Sequence, residues 1–138
     1  HLRNRRQRQM CIRDRYLLGI DVPVIASCNR VSERDGHFVS VGVELSRETT
    51  VEEVEELMKI PTLGLPSSPK LVNEIIDDSP TRQEYLWNGR GMTTTVGNIR
   101  VEGNIVRYDA LSHNTVRGAA GGVILLAEFA VQESYITK

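Results

Sequence analysis

Met92-Thr-Thr-Thr-Val-Gly-Asn-Ile-Arg-Val-Glu-Gly-Asn-Ile-Val-Arg-Tyr-Asp-Ala-Leu111 is the stretch whose reading decides the fold. Thr93, Thr94, Thr95 and Val96, then Ile99 and Val101, are β-branched and favour a strand. Glu102-Gly103-Asn104 supplies a turn into Ile105 to Leu111, so the segment predicts a β-hairpin. Upstream, residues 38–45 place Val39, Val41, Val43 and Leu45 on one face, opposite Ser40, Gly42 and Glu44, which predicts a half-buried strand. Residues 22–31 are again rich in β-branched side chains and are followed by an Asp35-Gly36 turn signal, predicting a further strand and loop. Leu71 to Asp77 could form a short strand. Residues 61–69, with Pro61, Gly64, Pro66 and Pro69, read as a breaker-rich loop, and residues 78–91 as polar and irregular.

Two helices complete the pattern. Thr50-Val51-Glu52-Glu53 has the spacing of a capping box, and Val51, Val54, Leu57 and Met58 follow at helical intervals, so a helix is expected over about 50–59, ahead of Pro61. Asn114 or Thr115 can cap a last helix in which Val116, Ala120, Val123, Ala127 and Ala130 recur at helical steps. The order β, β, α, β, β, β, α predicts an α+β fold: a mixed, mainly antiparallel sheet covered by helices on one face, with a long carboxy-terminal helix. No GxGxxG stretch joins a strand to a helix. The glycines of Gly118-Ala119-Ala120-Gly121-Gly122 fall inside the apolar helix, where small residues let another backbone approach.

Composition narrows the class. The 138 residues are 40% hydrophobic and 25% charged, as in an ordinary one-domain globular chain. The longest apolar run, Val123 to Ala127, falls far short of the roughly 20 residues that cross a bilayer, so no membrane association is expected. A formal charge of −1 conceals residues 1–15, where six arginines face one acid, Asp14. This arm has neither aromatic residues for base stacking nor an apolar period, so nucleic acid is not an expected partner. No apolar core of about 7–15 residues follows it, as a secretory signal would need. Its Gln7 to Arg15 portion resembles translated sequencing-adaptor read-through, so residues 1–15 are expected to be a non-native basic segment and residues 16–138 the domain. Cys11 and Cys28 form no CxxC pair, so a zinc site is not expected, and two lone thiols suit a reducing, cytoplasmic setting.

Few side chains can carry chemistry. Imidazole is the side chain suited to proton transfer near neutrality, and the Gly36-His37 step at the mouth of a strand leaves the ring accessible; the alternative is a structural histidine. Arg30 ends the preceding strand and can grip a carboxylate with two parallel hydrogen bonds, or sit in an ordinary ion pair. Cys28 shares a strand face with Arg30 but reads better as a small buried residue than as a nucleophile. Asn114 can cap a helix or bind a ligand amide, and His113 beside it reads as structural. Glu52, Glu53, Glu55 and Glu56 form a solvated helix face and no metal site.

Taken together, Ala26-Ser27-Cys28-Asn29-Arg30-Val31, Asp35-Gly36-His37, Leu65-Pro66-Ser67-Ser68-Pro69, Gly91-Met92, Val96-Gly97, Ile99-Arg100 and Ser112 to Gly122 resemble, in order, the carboxy-terminal half of archaeal and fungal-type aspartate-semialdehyde dehydrogenases. The resemblance runs over roughly residues 22–138. It implies that His37 is the general acid/base, that Arg30 binds the substrate carboxylate and that Asn114 contacts the nicotinamide end of NADP. It also implies reduction of aspartyl phosphate to the semialdehyde through a cysteine thioester. The NADP-binding domain and the nucleophile would be absent from this chain, leaving it inactive alone, and a homodimer or homotetramer would form through this domain. Ser32-Glu33-Arg34 and Thr81 to Asn88 depart from the family pattern. Malonyl-CoA or succinyl-CoA reductases of the same superfamily are the enzyme alternative, and a non-catalytic dimerisation or scaffold domain is the other.

Overall fold

The computed structural model describes Gly19, residues 22–25 and residues 31–136. The chain divides into two compact units, His1–Glu33 and Arg34–Lys138. In the first, residues 22–25 and 31–33 carry no helix or strand, so the strand expected over 22–31 is not formed by its described residues. A β-branched run makes a segment strand-capable, but a strand also needs a hydrogen-bonded neighbour. Residues 1–18, 20–21, 26–30 (with Cys28 and Arg30) and 137–138 lie outside the described residues.

The second unit runs β1 (His37–Glu44), α1 (Val51–Met58), β2 (Asn73–Ile75), α2 (Arg82–Tyr85), a short helical segment Asn88–Gly91 with left-handed Gly89 and Arg90, β3 (Thr94–Glu102), β4 (Ile105–Ser112), a π-helical turn Val116–Ala120 and α3 (Gly121–Gln132). The strands form one mixed sheet in the order β1-β4-β3-β2. β4 is antiparallel to both β1 and β3, and β2 is parallel to β3. The expected hairpin is therefore present, turning at Gly103 with φ 62, and the mainly antiparallel α+β class holds. The stretch expected to be irregular over 78–91 instead contains α2 and the Asn88–Gly91 segment, since a parallel β2–β3 pair needs a crossover to return the chain to the same end of the sheet.

The odd spacing from Val96 to Ile99 has a structural cause. The β3–β4 register shifts between Gly97 and Arg100, a bulge that gives β3 one extra residue, with Asn98 at φ 53. Glycine is required just before it, because a Cβ on Gly97 would overlap the carbonyl oxygen of Asp78.

Val54 is buried where α1 packs against β2 and β3, and Leu86, Met92, Val96, Val106, Leu111 and Leu125 complete the apolar set buried among the described residues. Thr50 caps α1 by accepting from the Glu53 N–H at 3.3 Å. The Glu53 carboxylate does not close the box. It pairs with Arg47 and accepts from Thr49 Oγ1, and these contacts hold its pKa at about 2.

β1 is less covered than its alternation suggests. Among the described residues β4 is its one neighbour, and Phe38, Val39 and Val43 are exposed. Helix α3 is apolar apart from Glu128 and Gln132, with Leu125 buried but Val123, Ile124 and Leu126 exposed. Such a helix is suited to burial on more than one face. Its Glu128 accepts from Ser67 N and Oγ at 2.9 and 2.7 Å, tying α3 to the breaker-rich loop. Among the described residues, no helix is long and apolar enough to cross a membrane.

Candidate active site

His37 opens β1, opposite Ser112 at the end of β4. Its side chain is exposed, and among the described residues it makes no hydrogen bond or ion pair. The turn before it is held in one shape. Gly36 has φ 115, a conformation costly for any residue with a Cβ. A Cβ there would also lie 3.4 Å from Leu86 Cδ1 and 3.8 Å from Arg82 Cδ. The Gly36 N–H donates to Asn114 Oδ1 at 2.8 Å, and Arg82 Nε donates to the Asp35 carbonyl at 2.6 Å.

Asn114 therefore does not cap the last helix. Its carboxamide oxygen is committed to Gly36, and Thr115, at the start of the π-helical turn, makes no side-chain capping bond either. The structure brings His37 and Asn114 together at one end of the β1–β4 pair, while Arg30 lies outside the described residues. Arg82 is the residue that sequence reasoning missed. Its partner is 47 positions away, so no local periodicity could have signalled it.

His113 is 1% exposed and belongs to the packing behind this end of the sheet. Its ring meets Trp87 edge-on at a centroid distance of 4.4 Å, and its Nδ1 lies 3.2 Å from Thr115 Oγ1. Gly91, at φ 78, lets the chain pass the ring closely; a Cβ there would come within 3.2 Å of His113 Cδ2. Nε2 of His113 is buried without a partner among the described residues. Among the described residues, no group of three or more His, Cys, Asp or Glu side chains converges on a point that could hold a metal.

A second polar cluster braces the sheet. Asp109 on β4 is buried and accepts from Ser40 Oγ of β1 at 2.6 Å, from Asn98 Nδ2 of the β3 bulge at 2.8 Å, and from Ser79 Oγ of the crossover. Burial pushes this carboxyl's pKa up, but donation by Asn98, Ser40 and Ser79 and the charge of Arg100 outweigh it, leaving the pKa below its usual 3.8. The linkage sign follows from that direction. The stabilisation is fully present above pH 3.8 and is lost as pH falls through the lower folded value. Asp109→Ala is expected to cost about 2–3 kcal/mol, because three donors lose a shared acceptor, two of them hydroxyls on different segments. Urea midpoints at pH 7 check the size, and the gap between wild type and variant should narrow below pH 3.8.

The chain matches the family described as "Semialdehyde dehydrogenase, dimerisation domain" over residues 4–117. It is 44% identical over 121 residues to an aspartate-semialdehyde dehydrogenase of Archaeoglobus fulgidus, covering 84% of this chain and 35% of that protein. It is 32% identical over 128 residues to the malonyl-CoA reductase (NADP) of Metallosphaera sedula, covering 86% of this chain and 36% of the relative. A crystal structure of Candida albicans aspartate-semialdehyde dehydrogenase with NADP superposes with a TM-score of 0.57 at 29% identity, over 74% of this chain and 31% of that one. The chain thus spans about a third of the length of the curated relatives it matches. Fold, motif order and sequence similarity agree, and the chain belongs to the semialdehyde dehydrogenase dimerisation-domain family.

Proposed function

We propose that residues 16–138 serve as the carboxy-terminal catalytic and dimerisation domain of an NADP-dependent aspartate-semialdehyde dehydrogenase, which reduces aspartyl phosphate to the semialdehyde in amino-acid biosynthesis. The NADP-binding domain and the cysteine nucleophile would come from outside this chain, so the chain alone would be inactive. The observation that carries the reading is an exposed imidazole at the mouth of β1, on a turn held from two sides, in a chain related to such enzymes.

His37 would take the proton from the thiol as it displaces phosphate to form the thioester, and would return it to the sulfur as the hydride adduct collapses to the aldehyde. Arg30 would hold the substrate carboxylate and orient the acyl group. Asn114 fits a nicotinamide contact because its Oδ1 is used internally, whereas its Nδ2 has no partner among the described residues and can donate to a carboxamide oxygen. NADPH, when bound, supplies the hydride. The exposed apolar surfaces of β1 and α3 support a homodimer or homotetramer formed through this domain. Two cysteines outside any CxxC spacing suit the cytoplasm.

The relative from Metallosphaera sedula favours one second reading, a CoA-thioester reductase acting on malonyl-CoA or succinyl-CoA. The test uses the full-length protein that contains this chain and follows NADPH oxidation with aspartyl phosphate, malonyl-CoA and succinyl-CoA in parallel. Turnover of aspartyl phosphate is expected to dominate. Preference for a CoA ester would move the assignment to the second reading. A stable dimer that turns over none of the three would leave a scaffold domain.

A further inference from the structure

Asp35 C=O and Gly36 N–H belong to one peptide unit, and that unit is gripped at both ends. Arg82 Nε donates to its carbonyl at 2.6 Å, and Asn114 Oδ1 accepts from its N–H at 2.8 Å. In a trans peptide these two groups point in opposite directions, so the plane is held from opposite sides. The next residue is His37. We propose that Arg82 and Asn114 are positioning residues which, by clamping this peptide plane, fix the direction in which the His37 imidazole leaves the sheet. The proposal rests on His37 being the proton carrier of the function proposed above.

The turn needs such a clamp for a physical reason. Gly36 permits φ 115 but does not enforce it, because a residue without a Cβ has wide backbone freedom. His37 is also the first residue of β1, whose ladder pairing among the described residues comes from β4. Terminal strand residues are the ones that open most readily. Proton transfer requires the ring within about 2.6–3.2 Å of its partner, and a displacement of about 1 Å can cost about 10²-fold in rate.

The two clamping side chains come from separate parts of the chain, 47 and 78 positions from their partners, and each is anchored where it starts. Arg82 opens α2, whose C-terminal neighbour Leu86 is buried directly beneath Gly36. Asn114 follows buried His113, and Ser112 pairs with His37 itself. The clamp thus ties the crossover and the end of β4 to the root of one imidazole.

The experiment uses the full-length enzyme. Arg82→Met keeps the aliphatic stem and removes the donor. It is expected to lower kcat about tenfold with little change in KM for aspartyl phosphate or NADPH, which is the pattern of a misplaced group rather than a lost contact. Arg82→Lys, which can still donate to the Asp35 carbonyl, should recover most of the loss. Residue-resolved amide exchange reads the clamp without any need for activity. Gly36 exchange should quicken about tenfold in Asn114→Ala, which loses the acceptor, and stay slow in Asn114→Asp, which keeps it. Unchanged Gly36 exchange in both Arg82→Met and Asn114→Ala would overturn the clamp, as would faster exchange in Arg82→Met with undiminished kcat. Wild-type turnover in His37→Ala would instead overturn the role of His37, a result visible separately from the exchange data.

Discussion

Replacing His37 with alanine in the full-length enzyme is expected to lower kcat by about 10²–10⁴-fold, the usual worth of a positioned general acid/base. Stability should change by no more than about 0.5 kcal/mol. The side chain is exposed and makes no hydrogen bond or ion pair among the described residues, so its loss leaves no cavity and no orphaned partner. An unaltered melting temperature beside a collapsed kcat is therefore the expected signature. Because the ring reaches solvent, millimolar imidazole should restore part of the lost rate. KM for aspartyl phosphate should stay close to that of wild type, since a proton carrier would act on the reacting atoms and not on the distant carboxylate. Turnover within threefold of wild type would remove His37 from the chemistry.

Arg30→Ala is expected to lower kcat/KM for aspartyl phosphate by about 10²–10³-fold, mostly through KM. Two charge-assisted hydrogen bonds to one carboxylate would be lost together. Arg30→Lys should recover little of this, because an ammonium cannot reproduce the planar, bidentate fork. A control substrate separates binding from general damage. An acyl phosphate without the distal carboxylate should be turned over equally poorly by wild type and variant. If the variant also loses ground on that control, Arg30 is not a carboxylate clamp and its role is structural. Malonyl-CoA carries a carboxylate too, so the same variant should impair the enzyme under either substrate reading.

Much of the fold could be read without coordinates because its signals are local. Gly103-Asn104 between two β-branched runs made the β3–β4 hairpin, and Thr50 three residues ahead of Glu53 made the start of α1. His37 was identifiable as a candidate because a glycine turn and the start of a strand adjoin it in sequence. The period-two pattern of β1 was also correct as a strand, but it could not report how deeply the strand would be covered. Coverage depends on what lies beside the sheet, and among the described residues β1 has β4 alone beside it.

What the sequence alone determined is the type of β1, α1, β2, β3, β4 and α3 and a short set of candidate residues, since propensity, alternation and turn residues act over a few positions. Only the tertiary structure decided what those residues touch. The Gly97–Arg100 bulge puts Asn98 onto Asp109, and Asn114 turns from the expected helix cap to the Gly36 N–H. Arg82 gains its place only because the β2–β3 crossover carries α2 past the Asp35–Gly36 turn. These contacts join residues 11, 78 and 47 positions apart. Side-chain pairing over such separations is set by how the strands register and where the crossover returns, and neither is written in the neighbouring residues.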